Sequence, residues 1–292
     1  MQVIKHIPTY ALDNLSERQD TIPDVLLLSD PVINSKEPLI IPHRTSYYGI
    51  GVCIGGEAKL TANLETYDII PGCLIAMSPH SIKQWHYKSD DFRSFAVLFT
   101  KDFLGAGAGV SPDRFPYFES VARHVFLLPP VQSAEIIHSL QFIKDKFEGN
   151  RHSRHHPEML RSFISGLLYE AASLYEDYNF SLSAIQTRSQ LLTADFKRLV
   201  NLHFLRQRGV SFYAEKLFIS PGHLTETVRE VTGKTPGDWI AEAVVLEASV
   251  LLLNPALTVA QIADALEFPD QSAFGKYFKK IKGLSPAAYR KS

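Results

Sequence analysis

The sequence predicts an α+β fold: a strand-rich N-terminal half, a helical pair after it, and an all-helical C-terminal domain. Three observations lead there. Residues 21–100 hold short apolar runs with period-two alternation, punctuated by Gly and Pro. Two apolar stripes at helical spacing follow between 136 and 178. A helix, turn and helix pattern then occurs twice in the last hundred residues, at an offset of fifty.

Residues 1–20 are polar and read as a loose lead-in, with Ile7 and Leu12 placed to dock. Val25-Leu26-Leu27-Leu28 is a short buried run, and Leu39-Ile40-Ile41 is another. Tyr48, Ile50, Val52 and Ile54 alternate with Gly49, Gly51 and Cys53, and Gly55-Gly56 turns the chain. Asp68 to Gly72 gives a strand and a Pro-Gly turn, Cys73 to Met77 a further strand, and Phe95, Val97 and Phe99 alternate later. Many short strands with frequent turns indicate a sandwich or small barrel. The segment 101–130 is rich in Gly and Pro, including Gly105-Ala106-Gly107-Ala108-Gly109, and reads as a loop or cover.

Helices come next. Ile136, Leu140, Ile143 and Phe147 form one stripe; Leu160, Phe163, Leu167, Ala171, Leu174 and Tyr178 form a second. Such a pair closes over the strands or contributes a dimer seam. Residues 179–188 carry few large apolar groups and read as a linker, dividing the chain into domains 1–178 and 189–292. A helix with Leu192, Phe196, Leu199 and Val200 inward opens the second domain.

In the first copy of the repeat, Leu224, Val228, Gly233, Thr235-Pro236 and Trp239 stand fifty residues before Phe274, Phe278, Gly283, Ser285-Pro286 and Tyr289. Upstream the offset is forty-nine: Tyr213, Ala214 and Leu217 match Ile262, Ala263 and Leu266. Ser220 is placed to cap one second helix and Asp270 the other, with Pro221 in a first turn where a missing N–H costs nothing. Thr258 and Gln261 make a capping box, and Gly233 and Gly283 supply helix stops. The second helix of such a unit enters a DNA major groove. The helix 236–253 joins the two units, with Ile240, Val244, Leu246, Val250 and Leu251 available to both cores.

At 45% hydrophobic and 21% charged residues, the 292-residue chain suits a globular protein of two domains. No apolar run reaches the ~20 residues of a membrane span. Met1 to His6 lacks a signal-peptide core, and Cys53 and Cys73 sit in strand-like apolar runs. These features point to the cytoplasm and to core thiols rather than a disulfide. Residues 190–292 carry 13 Lys and Arg against 10 Asp and Glu, the rest 17 against 21. That excess is small, but Lys276, Lys279, Lys280 and Lys282 crowd the second candidate reading helix.

The stretch Ile262 to Lys280 with Gly283, Ser285-Pro286 and Tyr289-Arg290 resembles the second helix-turn-helix of AraC-type (AraC/XylS) transcription regulators. Ala214-Glu215-Lys216-Leu217, Ser220-Pro221, Leu224 and Thr232 to Pro236 resemble the first. Glu267 stands where that family usually has glycine, and Val228 where it usually has phenylalanine. Pro71-Gly72 followed by Ser78-Pro79-His80 resembles, more loosely, part of a cupin-like barrel of the kind this family uses for sensing. The resemblance implies a DNA-binding activator, working as a homodimer with RNA polymerase and switched by a small-molecule effector held in the barrel.

Candidate DNA contacts are the early outward positions of the two reading helices: His223, Thr225, Glu226 and Arg229, then Gln271, Ser272 and Lys276, with Lys279 and Lys280 nearer the backbone. Gln bonds an adenine edge through two atoms, Glu accepts from cytosine, and Lys or Arg donates to guanine or phosphate. Candidate effector contacts are His43, Arg44, Tyr48, His80, Trp85 and His86, two of them flat aromatics and the rest polar. A metal-dependent cupin enzyme with a helical appendage is the alternative. Against it, His43, His80 and His86 include no His-x-His pair, and no phosphate loop, nucleophile elbow or dinucleotide fingerprint occurs. His152, His155 and His156 lie in a polar turn where metal uptake would be adventitious. No cofactor or resident metal is expected.

Overall fold

Backbone pairing divides the strands into separate sheets, and helical stripes decide which sheet face is covered. The computed structural model describes residues 9–10, 12, 24–28, 41–106, 109–119, 122–149 and 153–291. Ile7, Leu39, Ile40, Gly107, Ala108 and His152 lie outside them. Residues 9–181 and 182–291 form two compact units.

In the first unit the strands are β1 (Thr9–Tyr10), β2 (Val25–Leu28), β3 (Arg44–Thr45), β4 (Tyr48–Gly55), β5 (Ala58–Ala62), β6 (Glu65–Ile69), β7 (Cys73–Met77), β8 (Lys83–Lys88), β9 (Arg93–Phe99) and β10 (Val125–Leu127). A five-stranded sheet runs β10-β7-β4-β9-β2, a three-stranded sheet runs β6-β5-β8, and β1 pairs with β3. The larger sheet is antiparallel throughout. On one of its faces Tyr48, Ile50, Val52, Leu74, Val97 and Phe99 pack with helices α2 (Pro130–Glu148) and α3 (His156–Ile185). On the other, Cys53, Cys73 and Val125 meet Leu60, Tyr67 and Ile69 of the smaller sheet. Helices, large sheet and small sheet are thus three layers with two cores.

Gly49 and Gly51 lie on the face turned to the small sheet. A Cβ on Gly51 would stand 2.3 Å from the Ala96 Cβ, and one on Gly49 2.7 Å from Leu98 Cδ2. The strands curl there so tightly that only glycine fits. His43 and Lys83 exchange backbone hydrogen bonds of 2.9 and 2.8 Å beside the small sheet. Among the described residues the sheets face one another without closing into a continuously bonded barrel.

The described residues of the segment 101–130 are more ordered than its Gly and Pro content predicts. Thr100 Oγ1 accepts from the Phe103 amide at 3.1 Å and starts α1 (Lys101–Gly105). Two 3-10 turns, Pro112–Arg114 and Pro116–Phe118, follow before β10. Phe103, Leu104, Phe115, Tyr117 and Phe118 are buried in the helix-side core, and this apolar content overrides the loop signal. α3 continues to Ile185, so much of the segment read as a linker is helical.

The second unit contains α4 (Arg188–His203), α5 (Val210–Lys216), α6 (Pro221–Thr232), α7 (Pro236–Leu252), α8 (Val259–Ala265), α9 (Gln271–Lys282) and α10 (Pro286–Lys291). Every predicted cap is present. Ser220 accepts from His223, Asp270 from Ala273, and Thr258 with Gln261 closes a capping box. Gly233 and Gly283 end their helices at φ 75° and 76°, the left-handed region that favours glycine.

The repeat extends to the backbone of the two turns. Phe218 has φ 56° and Glu267 φ 55°, and these positions are forty-nine residues apart. A non-glycine residue there costs about 1–2 kcal/mol. Phe218 is 94% exposed, so its side chain recovers little of that cost. Replacing Phe218 with Gly is expected to raise the stability of this unit by up to about 1 kcal/mol in chemical denaturation, with Phe218→Ala giving no such gain. A glycine variant less stable than the alanine variant would remove the strain account.

Candidate functional site

α6 and α9 present equivalent faces. α6 buries Leu224, Thr227 and Val228, and α9 buries Phe274 and Phe278. With 3.6 residues per turn, Glu226 and Arg229 then fall opposite the buried stripe of α6, and Ser272, Lys276 and Lys279 opposite that of α9. His223, Glu226, Arg229, Gln271, Ser272, Lys276, Lys279 and Lys280 are all exposed, and Thr225 is half-buried. The Thr225 hydroxyl donates to the Pro221 carbonyl at 2.8 Å, which leaves its methyl group and oxygen lone pairs outward. A groove of about 790 Å³ runs beside α6, lined by Val210, Pro221, Thr225, Glu226, Arg229 and Glu230.

The two faces differ in charge. α6 shows Glu226 and Glu230 beside Arg229, while α9 carries Lys276, Lys279, Lys280 and Lys282 and no acid. At each helix N-terminus the Ser220 or Asp270 cap satisfies one amide, that of His223 or Ala273, and the positive end of the helix dipole suits an anion. The arrangement suits one basic helix against phosphate and one mixed helix against base edges.

α7 determines how the two reading helices stand. Trp239 Nε1 donates to Thr232 Oγ1 at 3.1 Å at the end of α6, and the Lys197 ammonium of α4 lies 4.1 Å from the Trp239 ring centre. Further along α7, Val245, Ala248 and Leu252 share a core with Ile262, Leu266, Phe274 and Phe278. Sequence reasoning did not find Arg206 and Arg208, which reach from the segment before α5 to the turn before α9. Arg206 Nε donates to Glu267 Oε1 at 3.0 Å, and Arg208 Nη2 donates to the Leu266 carbonyl.

In the first unit the six candidate effector residues separate into three places. Trp85 belongs to the core between the sheets, and His43 bridges the start of β8 through the Lys83 backbone. Trp85 packs against the small-sheet core and stands 5.9 Å from Phe92, edge to face. His43 is buried, with Nδ1 3.0 Å from the Ile41 carbonyl, and Arg44 is half-buried beside it on β3. Tyr48 lies on the opposite face of the large sheet. It stacks on Phe99 at 5.9 Å and meets Phe118 edge to face at 5.0 Å, and its hydroxyl donates to Asp113. His80 is exposed with Nε2 3.6 Å from that carboxylate. His86 is exposed on the outer side of the small sheet, 2.7 Å from Thr61 Oγ1. A pocket built from all six is therefore corrected: alternation along β4 places Tyr48 toward the helices, and Tyr48, His80 and His86 do not join His43 and Trp85.

Two lysines lie beside Trp85 and β3 instead. Lys83 and Trp85 alternate on β8, and the register shift between Lys59 and Leu60 brings Lys88 onto their face opposite Ala58. Lys83 is buried, and its ammonium donates to Thr45 Oγ1 at 2.7 Å and to the Ser78 carbonyl at 2.9 Å. Burial lowers Lys83 to about 7, with the Arg44 charge adding to the effect. Lys88 lies over the Trp85 ring at 4.2 Å, and burial lowers it to about 8. Burial likewise holds His43 near 4, assisted by the Lys83 and Lys88 charges against the Ile41 hydrogen bond. Among the described residues no group of three or more His, Cys, Asp or Glu is placed to hold a metal ion. None of the described helices is long and apolar enough to cross a membrane.

A family model described as an AraC-like ligand binding domain matches residues 35–168, and one described as a helix-turn-helix domain matches 213–292. The Msm operon regulatory protein of Streptococcus mutans is 29% identical over 246 residues, 84% of each chain. An uncharacterised HTH-type transcriptional regulator of Escherichia coli is 24% identical over 262 residues, 89% of this chain and 79% of its own. The arabinose operon regulatory protein of Salmonella typhimurium is 27% identical over 92 residues, 32% of this chain and 31% of its own.

The buried imidazoles give the first unit a defined acid response. His124 is also held near 4 by burial, with Nδ1 3.2 Å from the Ala76 carbonyl. An unfolded chain takes up these protons near 6.5, so between pH 6.5 and 4 the unfolded state binds more protons and stability falls as pH falls. Each group contributes at most about 3 kcal/mol across that window. Thermal melts at stepped pH are expected to show the loss, and His124→Gln to flatten it. A melting temperature level from pH 6.5 to 4 would contradict the assignment.

Proposed function

The chain belongs to the AraC/XylS family of transcription regulators, and from that premise we propose how it reads DNA and where its effector sits. It is a DNA-binding regulator with an N-terminal effector-binding domain. The reading carried furthest by one observation is that α6 and α9, matching in capping, stop and exposed face, enter successive major grooves. Such grooves recur about every 34 Å along one side of the duplex. Gln271 and Ser272 read base edges from the first turn of α9, and Lys276 reaches guanine. Lys279 and Lys280 anchor phosphate. On α6, Glu226 accepts from a cytosine amino group, Arg229 takes guanine or phosphate, and His223 and Thr225 add contacts at the entry.

Residues 1–178 sense the effector and pair two chains, and residues 189–292 bind DNA, with 179–188 between them. The exposed apolar groups Val131 and Phe142 on α2 and Tyr169 and Phe180 on α3 support a homodimer. The effector lies between the sheets against Trp85, with His43, Arg44, Lys83 and Lys88 orienting it. Its binding shifts the arrangement of the two DNA-binding domains in the dimer, so that they recruit RNA polymerase and activate transcription from within the cytoplasm.

Binding to duplexes recovered by selection from a random pool tests the DNA assignment. Affinity is expected to fall steeply with salt, and Lys279→Ala with Lys280→Ala to lower the log–log salt slope by about one for each phosphate no longer neutralised. Gln271→Ala is expected to cost about 1–3 kcal/mol at one base position while leaving other positions unchanged. Equal loss across all sequences would move Gln271 to the phosphate contacts.

A further inference from the structure

The internal repeat provides its own control for what holds each turn. Position 218 in the first helix-turn-helix and position 267 in the second share a left-handed backbone at φ 56° and 55°. Phe218 projects into solvent, 94% exposed. The turn containing Glu267 is instead gripped from outside its own helix-turn-helix. Arg208, one residue before the Gly209 cap of α5, donates from Nη2 to the Leu266 carbonyl and to the Leu205 carbonyl, the latter at 3.4 Å. Its guanidinium stacks over Phe268 at 3.8 Å and lies 6.0 Å from the Tyr277 ring. Phe268 in turn contacts Phe274 and Tyr277 of α9, both at 5.3 Å between ring centres. The Arg208 Nε is buried with no hydrogen-bond partner, so the side chain is held by its terminal nitrogen and by stacking.

We propose that Arg208 is a positioning residue that sets the separation of the two DNA-reading helices, by tying the segment that opens α5 to the turn that opens α9. This rests on the two-helix reading above. α7 fixes the distance between the two helix-turn-helix units through its length and holds the second through an apolar core, whose burial is non-directional. Arg208 is a second, directional point of attachment, and two attachments define an orientation. The charge of Arg206 on Glu267 at 3.0 Å is exposed on both sides and contributes little rigidity. A planar guanidinium that donates and stacks together is not replaced by an ammonium.

The test uses the full chain and selection from a random duplex pool, comparing the unsubstituted protein with Arg208→Met, Arg208→Lys and, as an exposed control, Arg206→Ala. The unsubstituted chain is expected to return, for each protomer, a half-site of two sequence elements at one fixed separation. Inserting one base pair between them should weaken its binding at least about tenfold, roughly 1.4 kcal/mol. Arg208→Met should tolerate that insertion within about twofold while keeping the same two elements, and Arg208→Lys should fall between. Arg206→Ala should keep the preference for the original separation. Equal weakening by Arg208→Met on both duplexes, with the separation preference intact, would make the residue merely structural and overturn the proposal. If Arg208→Met does not fold, an unchanged preference in Arg208→Lys overturns it equally. A half-site of one element from the unsubstituted chain would instead remove the two-helix reading, and the proposal with it.

Discussion

The second unit depends on one helix being apolar on nearly every side. α7 buries Trp239, Ile240, Val244, Val245, Ala248, Val250 and Leu252, so little of it is given over to water. It packs against α4 and α6 on one side of the unit and against α8, α9 and α10 on the other. Each large side chain buried there is worth about 1.5–3 kcal/mol relative to exposure. Rotating α7 to improve one core would therefore expose the other. The outward faces of α6 and α9 follow from this, because each reading helix is oriented by the residues it turns toward α7.

Within that shared frame the two reading helices do different work. Phosphate attraction is indifferent to sequence, whereas a correctly placed acceptor or donor against a base edge is not. α9 has four lysines and no acid, and in the proposed DNA reading it supplies most of the non-specific attraction. In the same reading α6 brings Glu226 and Glu230 toward the polyanion, an arrangement that repels wherever no base amino group or nearby cation offsets the charge. A helix of that composition adds discrimination rather than affinity. The division also explains why the small net excess of basic residues in 190–292 is a poor guide: the charge is sorted by helix, and its sum hides the sorting.

What the amino-acid sequence reveals depends on how local the physics is. Caps at Ser220, Thr258 and Asp270 and stops at Gly233 and Gly283 act within four residues, and they are legible as spacing alone. Alternation along β4 is equally plain, yet it does not say which face meets which layer. Both faces are apolar or glycine, and only the order β10-β7-β4-β9-β2 with helices on one side sends Tyr48 away from Trp85. Lys83 is hidden for a related reason. A lysine on a strand reads as solvated, and its burial follows from the His43 bridge, forty residues distant in sequence. In 101–130 the Gly and Pro signals correctly indicate turns, but the aromatics between them find a core whose existence is a property of the whole unit.

The least local feature is the pairing of strain with restraint. Two turns share one uncommon backbone conformation, and neither uses the glycine that would make it inexpensive. At Phe218 the side chain lies in solvent and offsets little of the cost. At Glu267 the neighbouring Leu266 carbonyl and the Phe268 ring are engaged by Arg208, and the carboxylate by Arg206. A glycine at 267 would relieve the backbone but would also give the turn more conformations and remove the carboxylate that Arg206 holds. The same φ therefore has two meanings. In the first helix-turn-helix it is a cost borne by a turn that only has to connect two helices. In the second it belongs to a turn whose direction is fixed from outside, where a stiffer residue keeps the approach of α9 from drifting.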